Sequence, residues 1–171
     1  MEISGWRRFG VMALYVGLCM SFLMLQVLPQ SFGPEAIPGP DLVLALTMCW
    51  AIRRPDLLPS ILIGAVLLFA DMILNRPPGL FALITLCAAV YLQTRSHDMR
   101  QAFFATEFLY CALIIIAVAL VYLVLRQVLL LPGQSVLTTL AQTLFTILIY
   151  PVVGFVSAQL FGITRQIVVS G

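Results

Sequence analysis

No lysine occurs in this chain, histidine occurs once, and charged side chains of every kind make up only 9% of its 171 residues. A soluble domain carries roughly a quarter charged residues, so there is too little polar surface here to wrap a core in water. The 62% share of hydrophobic residues and a mean hydropathy of +1.09 place the chain in lipid instead. A net charge of +2 with no clustered basic face excludes a nucleic-acid partner. Cysteine is sparse too: Cys19, Cys49, Cys87 and Cys111 stand singly inside apolar runs. They lack the short paired spacing of a metal site or disulfide framework and read as small hydrophobes. Also missing are Gly-x-Ser-x-Gly, His-Glu-x-x-His and any phosphate-cradling glycine loop. His97 and Asp98 are adjacent in "RSHDMR", but neighbours in one solvated loop do not place a carboxylate behind an imidazole. No catalytic residue, metal or cofactor is therefore expected.

What the chain has in quantity is apolar runs. About twenty residues, rising 1.5 Å each, are needed to cross a hydrocarbon core of about 30 Å. Six segments are predicted to cross, 9–28, 40–54, 57–74, 80–94, 105–125 and 136–162, which gives an all-α membrane protein. The second and fourth are short, roughly fifteen residues or 22 Å of helix, and must be buried, tilted or met by a thinned bilayer. The first follows Arg7 and Arg8 in the manner of a signal peptide. Its exit, "QVLPQSFGP", has no small-x-small site, so an uncleaved span is expected.

Arginine placement tests that count. With the N-terminus inside, Arg7, Arg8, Arg53, Arg54, Arg95, Arg100 and Arg165 are cytoplasmic, and only Arg76 and Arg126 lie outside. This is the asymmetry that the positive-inside rule describes, and removing either short span would move arginine pairs to the wrong side. The predicted architecture is one polytopic membrane domain over 1–171, with six spans of uneven length and both ends cytoplasmic.

The tripeptide Pro-Asp-Leu occurs at 40–42 and again at 55–57. Proline suits a first helical turn, and aspartate beside it complements the positive end of the helix dipole. Both triplets are predicted helix starts. Pro40 and Asp41 then open the second span, Arg53 and Arg54 close it, and Pro55 and Asp56 open the third. The turn between them is nearly zero residues long and makes spans two and three antiparallel neighbours. Trp50 is expected at interfacial depth. "NRPPG" at 75–79, "RSHDMR" at 95–100 and "LLLPGQS" at 129–135 punctuate the remaining spans.

Ionisable residues inside spans are functional suspects. Asp71 is either a proton or cation site, or a buried carboxylate that pairs with Arg76 or caps a neighbouring helix such as the fourth. Glu107 falls in the first turn of the fifth span, where a carboxylate suits the dipole in any case. Gly10 and Gly17 in the first span, and Gly154 with Ala158 in the sixth, either seat a partner helix closely or serve ordinary packing within the bundle.

Taken in order, Pro40-Asp41, an apolar run containing Trp50, Arg53-Arg54-Pro55, Asp71 and Pro78-Gly79-Leu80, with Tyr150-Pro151 further on, resemble the rod shape-determining protein MreD family. The resemblance covers most of the chain and is strongest from Gly39 to Leu92. It implies a small polytopic protein of the bacterial inner membrane whose six uneven helices are folded like the substrate-binding subunits of energy-coupling-factor transporters. It also implies a non-enzymatic part in cell-wall elongation. The implied partners are an MreC-like bitopic protein, an MreB-like filament, RodA and a class B penicillin-binding transpeptidase. Asp41, Arg53, Arg54, Asp71, Pro78 and Gly79 carry over as positions that shape the bundle or its docking surface. Trp50, Arg76, Gly10 and Gly17 join them from the reading of the residues themselves, and the cytoplasmic arginines are expected to meet anionic membrane lipid. The lack of lysine and the bare end "FGITRQIVVSG" depart from the family's common pattern. The alternative is a small-solute binding or transport protein. Inverted-repeat transporters place matching short spans in corresponding halves, here the second and fifth, whereas the predicted short ones are the second and fourth.

Overall fold

Prolines and their neighbours decide where the helices of this molecule begin and end. The computed structural model describes residues 5–27, 39–99, 104–131 and 135–161. Arg100, Arg165 and residues 162–171 lie outside them, as do the side chains of Arg7, His97, Asp98 and Ala158. Among the described residues six α-helices follow one another, α1 (Gly5–Val27), α2 (Leu42–Arg53), α3 (Ser60–Ile73), α4 (Leu80–Met99), α5 (Phe104–Val128) and α6 (Val136–Phe161). No strand occurs among the described residues. Among the described residues three helices are long and apolar enough to cross a membrane, over Arg8–Val27, Ala105–Val128 and Val136–Ser157. The apolar parts of the other three, Leu42–Arg53, Ser60–Ile73 and Leu80–Ser96, are shorter.

The first Pro-Asp-Leu triplet starts a helix and the second does not. Asp41 is the N-cap of α2, its Oδ1 accepting the Leu44 N–H at 2.9 Å. Pro55–Leu57 instead forms a single 3₁₀ turn. The cause is a second proline, Pro59, which crowds the residue before it out of the helical region. Leu58 is extended at φ −112, ψ 95, and α3 starts only at Ser60. The near-zero turn is thus a longer connector, and α3 is 14 residues rather than a full-length span. At its other end α4 continues for 20 residues to Met99, so Arg95 to Met99 are helical and not loop. The apolar parts of the second and fourth helices are short as expected, and the third is short as well.

That connector also separates two helices predicted to pair. α2 packs chiefly against α4 and α6, with α1 on a further side, and meets α3 only slightly. α3 lies against α4 and α1, and α5 against α4 and α6. Every residue of α2 from Val43 to Arg53 is buried, as befits a helix that is apolar all round. Trp50 therefore faces inward, its ring 5.5 Å from that of Tyr15 and its Nε1 donating to Ser157 Oγ at 3.3 Å. It is a core residue and not an outward interfacial anchor. Pro151 lies within α6, where its missing N–H leaves the Ile147 carbonyl without its helical donor.

Candidate functional site

Buried charge gathers at the two ends of α2. At the Asp41 end, the capping carboxylate also takes a salt bridge from Arg76, Nη2 to Oδ2 at 2.8 Å. The Asp41 N–H donates to Thr146 Oγ1 at 2.8 Å. One residue thereby ties α2 to the α3–α4 connector through its carboxylate and to α6 through its backbone N–H. The Arg76 guanidinium lies 4.3 Å over the Phe81 ring, and Phe81 meets Tyr122 edge to face at 5.3 Å. Arg126 completes the row, 6.0 Å from the Tyr122 ring. Between these groups and the start of α6 is a cavity of about 80 Å³, lined by Asp41, Arg76, Phe81, Tyr122 and Arg126, by Leu44, Ile115 and Val118, and by Thr139, Gln142, Thr143 and Thr146.

Asp71 stands beside this cluster with a different task. α3 closes with Asn75 in the left-handed region, φ 51, and the Arg76 N–H donates to the Asp71 carbonyl at 3.0 Å. This is the reversed bond of a Schellman ending. The chain then turns so that Gly79, φ +85, precedes α4. Glycine tolerates that angle but has no side chain with which to cap. Asp71 supplies the missing acceptor from α3: its Oδ2 takes the N–H of Gly79 at 3.1 Å and of Ala82 at 2.9 Å. Of the roles open to Asp71, capping the fourth helix is the one adopted, and the guanidinium of Arg76 goes to Asp41 instead. Pro78, at the same turn, is exposed.

The opposite end of α2 carries Arg53, buried although arginine is rarely so. Its Nε donates to Glu107 Oε1 at 3.1 Å and its Nη1 to the Gly154 carbonyl at 2.7 Å. Tyr150 donates to the same Glu107 oxygen at 3.2 Å, and the Cys111 thiol donates to Tyr150 at 3.0 Å. Glu107 is wholly buried, so it is a bridge between α5, α2 and α6 and more than a first-turn carboxylate. A Cβ at Gly154 would lie 3.1 Å from Arg53 Nη2. The small residue at 154 makes room for that guanidinium and does not seat a partner helix. Arg53 is accordingly internal and forms no part of a cytoplasmic docking surface.

The predicted site residues thus divide. Asp41, Trp50, Arg53, Asp71, Arg76 and Gly79 lie within the bundle's polar framework. Arg54, half-buried, ends α2 with its N–H on the Trp50 carbonyl at 2.9 Å. Gly10 and Gly17 are on the outside of α1 with no atom within 4 Å of where a Cβ would be. Sequence reasoning missed Thr146 and the Glu107–Arg53 link, whose partners lie 54 or more residues apart. It also put Arg126 in an outer loop, whereas it lies in the last turn of α5 and faces the cavity. The signal that was available is that Arg76 and Arg126 are the two exceptions to the arginine asymmetry. Among the described residues no three His, Cys, Asp or Glu side chains gather to hold a metal. No family model, curated protein or solved structure matches this chain.

Proposed function

We propose that this chain is a non-catalytic membrane scaffold of the MreD type, serving bacterial cell-wall elongation from the inner membrane. The observation that carries the reading is the outer face of α1. Only 17% of its apolar window is buried, against 33% for α5 and 22% for α6, and Gly10 and Gly17 both open outward from it. Two outward glycines two turns apart let the backbone of another helix approach closely, the usual means by which helices associate in lipid. An MreC-like bitopic protein with one such helix is the partner this face suits. RodA, its transpeptidase and an MreB-like filament complete the assembly, with exposed cytoplasmic arginines such as Arg8 and Arg95 on anionic lipid.

In this reading all six helices cross, both ends are cytoplasmic, and the uneven bundle is of the kind found in energy-coupling-factor substrate-binding subunits. α2, at 12 residues, spans only about 18 Å. Its enclosure by α1, α4 and α6 supports a crossing all the same, since it meets protein on its flanks and its end charges are paired. Photo-crosslinkers at positions 10 and 17, followed by purification in mild detergent, are expected to capture a single-span partner. Recovery of the chain always alone counts against the scaffold. Depletion in the native cell is expected to round the rods. Unchanged shape with a nutrient defect favours a solute-binding protein, a second reading that has the cavity beside Arg126 in its favour.

A further inference from the structure

At the Asp41 end of α2, one of the two arginines has no carboxylate bonded to it among the described residues. Asp41 and Arg76 neutralise each other at 2.8 Å, and Asp71, whose Oδ2 takes the N–H groups of Gly79 and Ala82 and whose Oδ1 has no hydrogen-bond partner among the described residues, does not line the cavity. Arg126 remains. It is 94% buried, being 6% exposed, and its Nη1 has no hydrogen-bond partner among the described residues. A guanidinium does not shed its proton at any ordinary pH. Buried and unpaired, it demands an acceptor that carries negative charge.

The space in front of it suits such an acceptor. By the measure on which one water needs about 10–15 Å³, the cavity of about 80 Å³ takes several water-sized groups, enough for a carboxylate or phosphoryl group with a short apolar stub. Across from the arginine, the first turns of α6 present Thr139, Gln142 and Thr143. The Thr143 hydroxyl returns to the Thr139 carbonyl at 2.7 Å, while the Gln142 amide has two donors suited to an anion. Leu44, Ile115 and Val118 form the apolar side. We infer that this cavity is a binding site for one anionic group, a carboxylate or a phosphoryl, anchored by Arg126. The source is either a free small anion or a lipid headgroup. The inference holds whether the chain acts as a scaffold or as a solute-binding protein, and its test calls on neither activity.

The full chain, delipidated in neutral detergent, is titrated at constant ionic strength with inorganic phosphate, with acetate, and with short-chain phosphatidylglycerol or phosphatidylcholine, and its thermal unfolding is followed. A saturable rise of about 5–10 °C at a hundredfold excess over Kd with phosphate or acetate supports a site for free anions. The same rise with phosphatidylglycerol, beyond any given by phosphatidylcholine, supports a headgroup site. Arg126→Gln is expected to abolish the response and Arg95→Gln, at the other end of the bundle, to keep it. Arg126→Lys retains the charge without the planar fork and is expected to move the titration midpoint about tenfold. It serves also if Arg126→Gln does not fold. No saturable anion response in the wild-type chain, or one with the same midpoint in both Arg126 variants as in the wild type, overturns the inference.

Discussion

Asp71 caps a helix to which it does not belong, because the residue in the capping position is a glycine. Asp71→Ala leaves the N–H groups of Gly79 and Ala82 without an acceptor and is expected to cost about 1–2 kcal/mol of stability. Asp71→Asn keeps one acceptor oxygen and is expected to recover most of that. Thermal unfolding of the three proteins in one detergent checks both, and equal midpoints for wild type and Asp71→Ala would remove the capping role. This much was legible in the sequence, since a carboxylate just before a turn and a helix start has few inexpensive uses. The other half was not. Arg76 lies five residues from Asp71 and 35 from Asp41, yet bonds the farther carboxylate. Residue order alone says nothing of the chain reversal at Asn75 that turns the guanidinium away.

At the scale of the element, α2 is a strut of 12 residues with a charged fastening at each end. Breaking one partner of a buried ion pair costs about 3–5 kcal/mol, because the survivor is left uncompensated, whereas replacing both with apolar groups is far milder. Glu107→Leu and Arg53→Met are each expected to show the larger loss in denaturation midpoint, and the double variant less than the sum of the two. A double-mutant cycle with strictly additive effects would show that the 3.1 Å contact contributes nothing. The ends of α2 were legible, as Asp41 and Arg53 have the side chains that helix termini favour. The start of α3 was misplaced because one proline signal, at 55, was weighed without the other at 59. The neighbours of α2 were misjudged for a related reason: a short link in sequence implies adjacency only when the link is a turn, and here it is a 3₁₀ segment followed by extended chain.

Over the whole molecule, composition and apolar run length were enough for an all-helical protein with membrane-length helices. The polar contacts between helices 1, 2, 5 and 6 had to come from the structure. The four cysteines offer a global test of how the bundle is closed. Cys19, Cys49 and Cys111 are buried and Cys87 is exposed on α4. In detergent the native protein is therefore expected to take one maleimide per chain, at Cys87, and all four on unfolding. In the proposed six-span arrangement an impermeant maleimide is expected to leave Cys87 unlabelled in intact membranes, because position 87 lies well inside the apolar part of α4, Leu80–Ser96. Rapid labelling of two or more sites in the folded state would contradict the packing. The fastenings of α2 also bear on biosynthesis. Asp41 and Arg53 depend on Thr146 and Gly154, which lie 105 and 101 residues later, so the ribosome makes α2 long before it makes what satisfies it. Until α6 is made, the N–H of Asp41 and the guanidinium of Arg53 each lack one acceptor that the folded chain gives them.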